Sequence, residues 1–286
     1  MAVNGEISMP ELQQPVRFLL SDIDGTLLRP DHTLSQANIN AVARLREAGI
    51  QFSLASSRPP RAMRQQIRAL GVELPTVGFN GANIVDAEGH VIFACRIEPQ
   101  AAKTCIEFLS QHPVAIWVFA DDRWLLLDPA GDYVEHERNT LGYDPVHVSS
   151  FAPYLQSVDK IVAASRDFDL LKQLEGELNP LIAQQAFAAR SQLYYLDITA
   201  LAANKGNALI TLARQLDIEL AHTAAIGDGG NDVAMFKQAG LSIAMGQAED
   251  SVRSQADVVT GSNLEDGVAT AIERYILPRW VCLSLH

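Results

Sequence analysis

The chain has 286 residues, 48% of them apolar, and a formal net charge of −12. Its apolar content excludes wholesale disorder, and its length suits one large domain or two of ordinary size. The acidic balance argues against nucleic acid or an anionic membrane as the main partner, while an anionic small molecule remains open if lysine, arginine or a metal supplies local positive charge.

Residues 1–15 are polar and carry neither the basic nor the apolar region of a signal peptide, so they read as a loose N-terminal extension. The run "VRFLL" fits a strand buried on both faces of a parallel sheet. Ser35 is placed to cap a helix with Ile39, Val42 and Leu45 inward and Gly49 at its end. "IQFSLAS" is a second strand. Pro59 and Pro60 suit the first turn of a helix that turns Met63, Ile67 and Leu70 inward and Arg61, Arg64 and Arg68 to solvent.

From 86 to 190 the texture changes. "HVIFACRI", "VAIWVFA", "RWLLLD" and "DKIVAAS" are spaced like a small sheet, and "FDLLKQLEGEL" predicts a helix ending near Asn179-Pro180. Asp121-Asp122 reads as a hairpin turn, and Trp117 and Trp124 as core packing. Alternation then returns: a helix after Asn204-Lys205-Gly206, the strand "HTAAIGD", a helix from Asp232 to Ala239 stopped by Gly240, and the strand "LSIAM". The predicted class is α/β, a Rossmann-like parallel-sheet core (16–85 and 191–286) carrying an inserted α/β cap domain (86–190). Ligands in such folds bind beyond the carboxyl ends of the strands.

Cys95, Cys105 and Cys282 have no paired spacing and read as reduced thiols of a cytoplasmic protein. No apolar run approaches the length of a membrane span. The seven histidines lack helical ligand spacing and read as structural or exposed.

"FLLSDIDGTLL" ends an apolar run in two carboxylates, Asp22 and Asp24, one residue apart. Left alone, such carboxylates repel each other. Mg²⁺ removes that difficulty, because it takes oxygen ligands and binds one or two carboxylates together with substrate phosphate. One aspartate can then attack a phosphoryl group while the other carries a proton to the leaving oxygen. Gly25 permits a tight turn, and Thr26 can tie the loop with its hydroxyl. A second acidic cluster, "AIGDGGND", places Asp228 just past another apolar strand and Asp232 at a helix start. Ser56, at the end of "FSLAS", can hold phosphoryl oxygens. Lys205 stands at a helix N-terminus, where a cation is unfavourable to the dipole, so a functional role is plausible.

In this order "DIDGT", "SLASSR", "NKGNAL" and "GDGGND" resemble the motifs of the haloacid dehalogenase superfamily of aspartate-nucleophile phosphotransferases. "FNGA", "IAMGQA" and "NLEDGVA" are similar to landmarks of its Cof-type sugar-phosphatase subgroup, which carries an α/β cap. The resemblance implies Asp22 as nucleophile and Asp24 as general acid and then base. It implies Mg²⁺ held by Asp22, the Asp24 carbonyl and Asp228, with Asp232 behind them. Ser56, Lys205 and Asn231 match phosphate-binding positions, and Arg58, Asn80 and Arg190 fall near the inferred cleft, the first two as substrate contacts. Ser57, Gln247 and Gly230 depart from frequent residues of the subgroup. The implied substrate is a small phosphorylated metabolite, a sugar phosphate foremost, with a phosphomutase or a non-catalytic metabolite-binding regulator as alternatives. The sequence leaves the oligomeric state open.

Overall fold

The structure, a computed structural model, describes residues 15–277. The expected N-terminal extension, Pro15 apart, lies outside the described residues, as does Cys282. The chain divides into two compact units, one made of the stretches up to Phe52 and from Leu209 onward, the other of Ser53–Ala208.

Strands β1 (Phe18–Ser21) and β2 (Gln51–Leu54) flank helix α1 (Gln36–Glu47). Helix α2 (Arg64–Leu70) is followed by β3 (Thr76–Gly78), β4 (Asn83–Val85) and β5 (Val91–Ala94). Then come α3 (Pro99–Leu109), β6 (Ala115–Ala120), β7 (Arg123–Leu126), α4 (Val134–Leu141), β8 (Val146–His147) and β9 (Val158–Ala164). Helix α5 (Phe168–Ile182), β10 (Ala186–Gln192) and β11 (Tyr195–Ala200) precede α6 (Lys205–Gln215). Further on lie β12 (Thr223–Gly227), α7 (Val233–Phe236), β13 (Leu241–Ala244) and β14 (Val258–Val259).

The first unit is built on a five-stranded sheet in the order β14-β13-β12-β1-β2. β1, β12 and β13 are buried along their whole length, as strands covered on both faces must be. β1 and β12 pair in parallel with Ser21 opposite Ile226, and the Asp22 N–H donates to the Ile226 carbonyl at 3.0 Å. Their following loops therefore leave the same sheet edge side by side, although two hundred residues separate them in the chain. Ser35 caps α1 as expected, accepting from the Asn38 N–H at 3.1 Å, and Gly49 leaves the helix with φ +72°. The inward stripe differs: Ile39 is half-buried and Asn38 takes its place. The Asn38 amide donates to the Leu27 carbonyl and accepts from the Ala269 N–H, which holds the chain just beyond the acidic loop.

The second unit contains a three-stranded sheet, β3-β4-β5, and a six-stranded sheet in the order β10-β11-β9-β6-β7-β8. Asp121 and Asp122 form the β6–β7 hairpin turn with φ of 51° and 57°, the left-handed pair that matches strand twist. Trp117 and Trp124 pack edge to face, 5.3 Å apart, in the core of this unit. Arg61, Arg64 and Arg68 are exposed, as read, although the first turn of their segment, Pro60–Met63, is 3₁₀ rather than α-helical.

Helix α5 runs on past the expected end at Asn179-Pro180 to Ile182. Leu171, Leu174, Leu178 and Ile182 form its buried stripe, so packing outweighs the bond lost at Pro180. Asn179 fastens the end of the helix to β10. Its side chain donates to the Glu175 and Ala188 carbonyls and accepts from the Ala188 N–H at 2.9 Å. Replacing Asn179 by Ala strands the buried Ala188 amide and is expected to cost about 1–3 kcal/mol, read as a lower urea midpoint at unchanged m-value.

Candidate active site

The loops after β1 and β12 bring three carboxylates together. Each of Asp22, Asp228 and Asp232 offers an oxygen, and these oxygens lie within 4.8 Å of one another. Asp22 and Asp232 are buried and Asp228 is half-buried. Two ionised carboxylates at that separation repel by roughly 3 kcal/mol at an effective dielectric of 20. Such an arrangement persists only where the fold imposes it.

Several contacts impose it. The Thr26 hydroxyl donates to Asp228 Oδ1 at 3.0 Å, so it ties the opposite loop rather than its own. Gly25 has φ +79°, and a Cβ there would overlap the Asp228 carboxylate. A Cβ on Gly227 would likewise overlap the Asp232 side chain. Asp232 Oδ2 accepts from the Asp228 and Gly229 N–H groups, both at 2.9 Å, and so holds the turn that carries Asp228. The Asn231 Oδ1 atom lies against Gly229 in the same turn. An all-oxygen set of carboxylates, packed where glycine hydrogens replace side chains, suits a small hard dication such as Mg²⁺.

Asp24 is more open than Asp22, with its side chain 37% exposed. A short hairpin closed by the Leu28–Leu34 bridge returns His32 to within 3.9 Å of its carboxylate. His32 lies eight residues along the chain in a stretch without periodicity, so nothing in the sequence signalled this approach. A second group, Asp86, Glu88 and His90, meets on the β4–β5 hairpin, where Asp86 and His90 are bonded to each other and His90 is exposed.

The second unit gathers the other predicted residues. Ser56 is buried, and its hydroxyl accepts from the Arg58 N–H at 3.1 Å. The Asn80 N–H donates to the Ser56 carbonyl at 2.9 Å. Phe79 and Asn80 both have positive φ, 50° and 56°, a strained pair for non-glycine residues. A Cβ on Gly81 would press on the Asn204 carbonyl, so the "FNGA" turn abuts the residue before Lys205. Lys205 is fully buried at the first position of α6. Burying a cation at a helix N-terminus is costly without anionic groups nearby. Arg190 is ion-paired to Glu175 at 2.9 Å.

Titratable groups are also buried or half-buried in this unit's larger sheet and in the helices α3 and α4. Burial raises the Glu137 carboxyl, against the pull of Lys160 and a hydrogen bond from the Tyr195 hydroxyl at 3.0 Å. Lys160 and Asp197 pair at 2.5 Å, both nearly buried. Burial lifts Asp159 to about 6 despite Asn83 and Arg96 beside it, and lifts the Cys105 thiol to about 12.

A family model described as haloacid dehalogenase-like hydrolase matches residues 19–272. The chain belongs to that family. It is therefore an enzyme, a phosphatase of the haloacid dehalogenase type, and its α/β fold is the family's. The pyridoxal phosphate phosphatase YbhA of Escherichia coli is 27% identical over 91% of this chain and 99% of its own. A haloacid dehalogenase-like hydrolase from Bacteroides thetaiotaomicron superposes with a TM-score of 0.83 at 26% identity, over 91% of this chain and 99% of its own. The haloacid dehalogenase subclass IIB sugar phosphatase BT4131 superposes with a TM-score of 0.79 at 25% identity, over 91% and 99%. No helix among the described residues of this family member is long and apolar enough to cross a membrane.

Proposed function

We propose that this hydrolase is a Mg²⁺-dependent phosphatase of small phosphorylated metabolites, sugar phosphates foremost, working through an aspartyl-phosphate. The observation that carries the reading is the meeting of Asp22, Asp228 and Asp232 at adjacent ends of β1 and β12. Asp22, Asp228 and the Asp24 carbonyl would hold Mg²⁺, with Asp232 behind them. Bound there, the ion neutralises the carboxylates and the phosphoryl oxygens.

Asp22 attacks phosphorus in line with the leaving oxygen, and the P–O bond to the alcohol breaks as the Asp22–phosphorus bond forms. Asp24, the more exposed carboxyl, gives its proton to the departing alkoxide. It then takes one from the water that displaces Asp22 and releases inorganic phosphate. Ser56, Lys205 and Asn231 are assigned to the phosphoryl oxygens, Lys205 supplying fixed positive charge and Ser56 a hydroxyl donor. Arg58 and Asn80 are assigned to the organic part of the substrate. Residues 86–190 are proposed as the cap that closes over it and excludes water.

The substrate class draws on similar proteins, one named for pyridoxal phosphate and one for sugar phosphates. The free thiols Cys95 and Cys105 favour a reducing, cytoplasmic setting. The test is phosphate release from a panel of phosphorylated sugars, nucleotides and cofactors, with Mg²⁺ and with EDTA. Chelation is expected to lower turnover at least about a hundredfold, reversed by added Mg²⁺. Full turnover in EDTA removes the metal from the reading, and turnover that requires a sugar bisphosphate points to a mutase.

A further inference from the structure

Gln247 follows β13 in "AMGQAED", where it stood out as a departure from the subgroup's frequent residue. Its side chain spans two loops. Nε2 donates to the Gly25 carbonyl at 2.6 Å, and Oε1 accepts from the Asn263 N–H at 3.0 Å. The buried Asn263 in turn donates from Nδ2 to the Leu28 carbonyl at 2.8 Å. The base of this bridge is itself fixed, because the Met245 N–H donates to the Gly227 carbonyl and the Gly246 N–H to the Gly261 carbonyl.

We propose that Gln247 is a positioning residue for the Asp228 carboxylate, acting through the Gly25–Thr26 peptide; this rests on the metal site proposed above. The peptide is planar, so holding the Gly25 oxygen sets the plane that leads into Thr26. The Thr26 hydroxyl then donates to Asp228 Oδ1. Gly25 is the weak link of this chain. With no Cβ and φ +79°, it lets the peptide reorient at little cost, and within the loop the Thr26 N–H makes only a long bond, 3.4 Å, to the Ile23 carbonyl, so the Gln247 bond is the shorter anchor of this peptide. Gln247 is exposed, and fixing an exposed, rotamer-rich side chain by both ends costs entropy with little apolar burial in return. What the bridge secures is the register of the loops around the carboxylates.

The test compares the unsubstituted protein with Gln247→Ala and Gln247→Glu. Substrate-free protein is titrated with Mg²⁺ by calorimetry, alongside hydrolysis of an aryl phosphate and urea unfolding. The glutamate keeps an acceptor for Asn263 and loses the donor to Gly25. Both variants are expected to bind Mg²⁺ about three- to tenfold more weakly, a smaller effect than for groups that touch the ligands directly. Their kcat should fall at low Mg²⁺ and recover at saturation, with KM unchanged. Unchanged Mg²⁺ affinity with a lowered urea midpoint would mean a purely structural brace and overturn the inference. Unaltered Mg²⁺ affinity in Gln247→Glu alone overturns the route through Gly25. If the unsubstituted protein fails to bind Mg²⁺, the functional reading falls first and takes the inference with it.

Discussion

Replacing Asp22 by Asn is expected to abolish phosphate release, lowering kcat by at least about a thousandfold while leaving the fold intact. The amide matches the carboxylate in shape, so the packing around a side chain only 5% exposed is conserved. It cannot form the acyl phosphate, because the amide is a poor nucleophile and a weaker ligand for a hard cation. The substitution also removes one of three mutually repelling charges. In EDTA the variant should therefore melt at the same temperature as the unsubstituted protein or higher, and Mg²⁺ should stabilise it less. Turnover of an aryl phosphate within tenfold of the unsubstituted rate would transfer the nucleophile to another group and end the covalent mechanism. A melting temperature well below that of the unsubstituted protein would show that Asp22 has a packing role instead.

The acidic centre was legible from two acidic clusters, each just past an apolar strand, and from the resemblance of the ordered motifs to a known family. "VRFLL" and "HTAAIG" read as strands covered on both faces, and such strands in one parallel sheet deliver their following loops to the same edge. That these two strands are neighbours, so that Asp22 and Asp228 meet, was implied by the resemblance of the motifs and not by the strands themselves. What stayed hidden are links that depend on side-chain reach across loops. Thr26 reads locally as a tie within its own turn, yet it bonds Asp228, two hundred residues away. Gln247 reads as a mismatch, yet it bridges two loops. His32 returns to Asp24 through a hairpin that a single β-bridge closes, too short to leave a pattern in the sequence. Propensity misled at Pro180, where a buried stripe and the Asn179 clamp carry the helix on, and at Asn38, where a polar residue is buried because its amide bonds two distant segments, at Leu27 and Ala269.

Gly25→Ala tests how closely the loops must approach, and it should cost more activity than any other single-methyl change near the acidic centre. The methyl group meets two obstacles at once. At φ +79° an alanine is strained by about 1 kcal/mol, and its Cβ would overlap the Asp228 carboxylate. Relief requires the Asp228 carboxylate to move away from Gly25, or the Gly25 peptide to break its bonds to Gln247 and the Thr26 link. Either movement changes the place of Asp228 in the carboxylate trio. Mg²⁺ affinity is expected to fall at least about tenfold and kcat/KM about a hundredfold, with 1–3 kcal/mol or so of stability lost. Gly142→Ala separates the two causes, because Gly142 has a similar φ of +74° but nothing within 4 Å of the position its Cβ would take. That control should lose about 1 kcal/mol of stability and keep full activity and Mg²⁺ affinity. If Gly25→Ala behaves like the control, Asp228 has no need of its observed position against Gly25, and the close packing of the acidic loops is not what makes the site work.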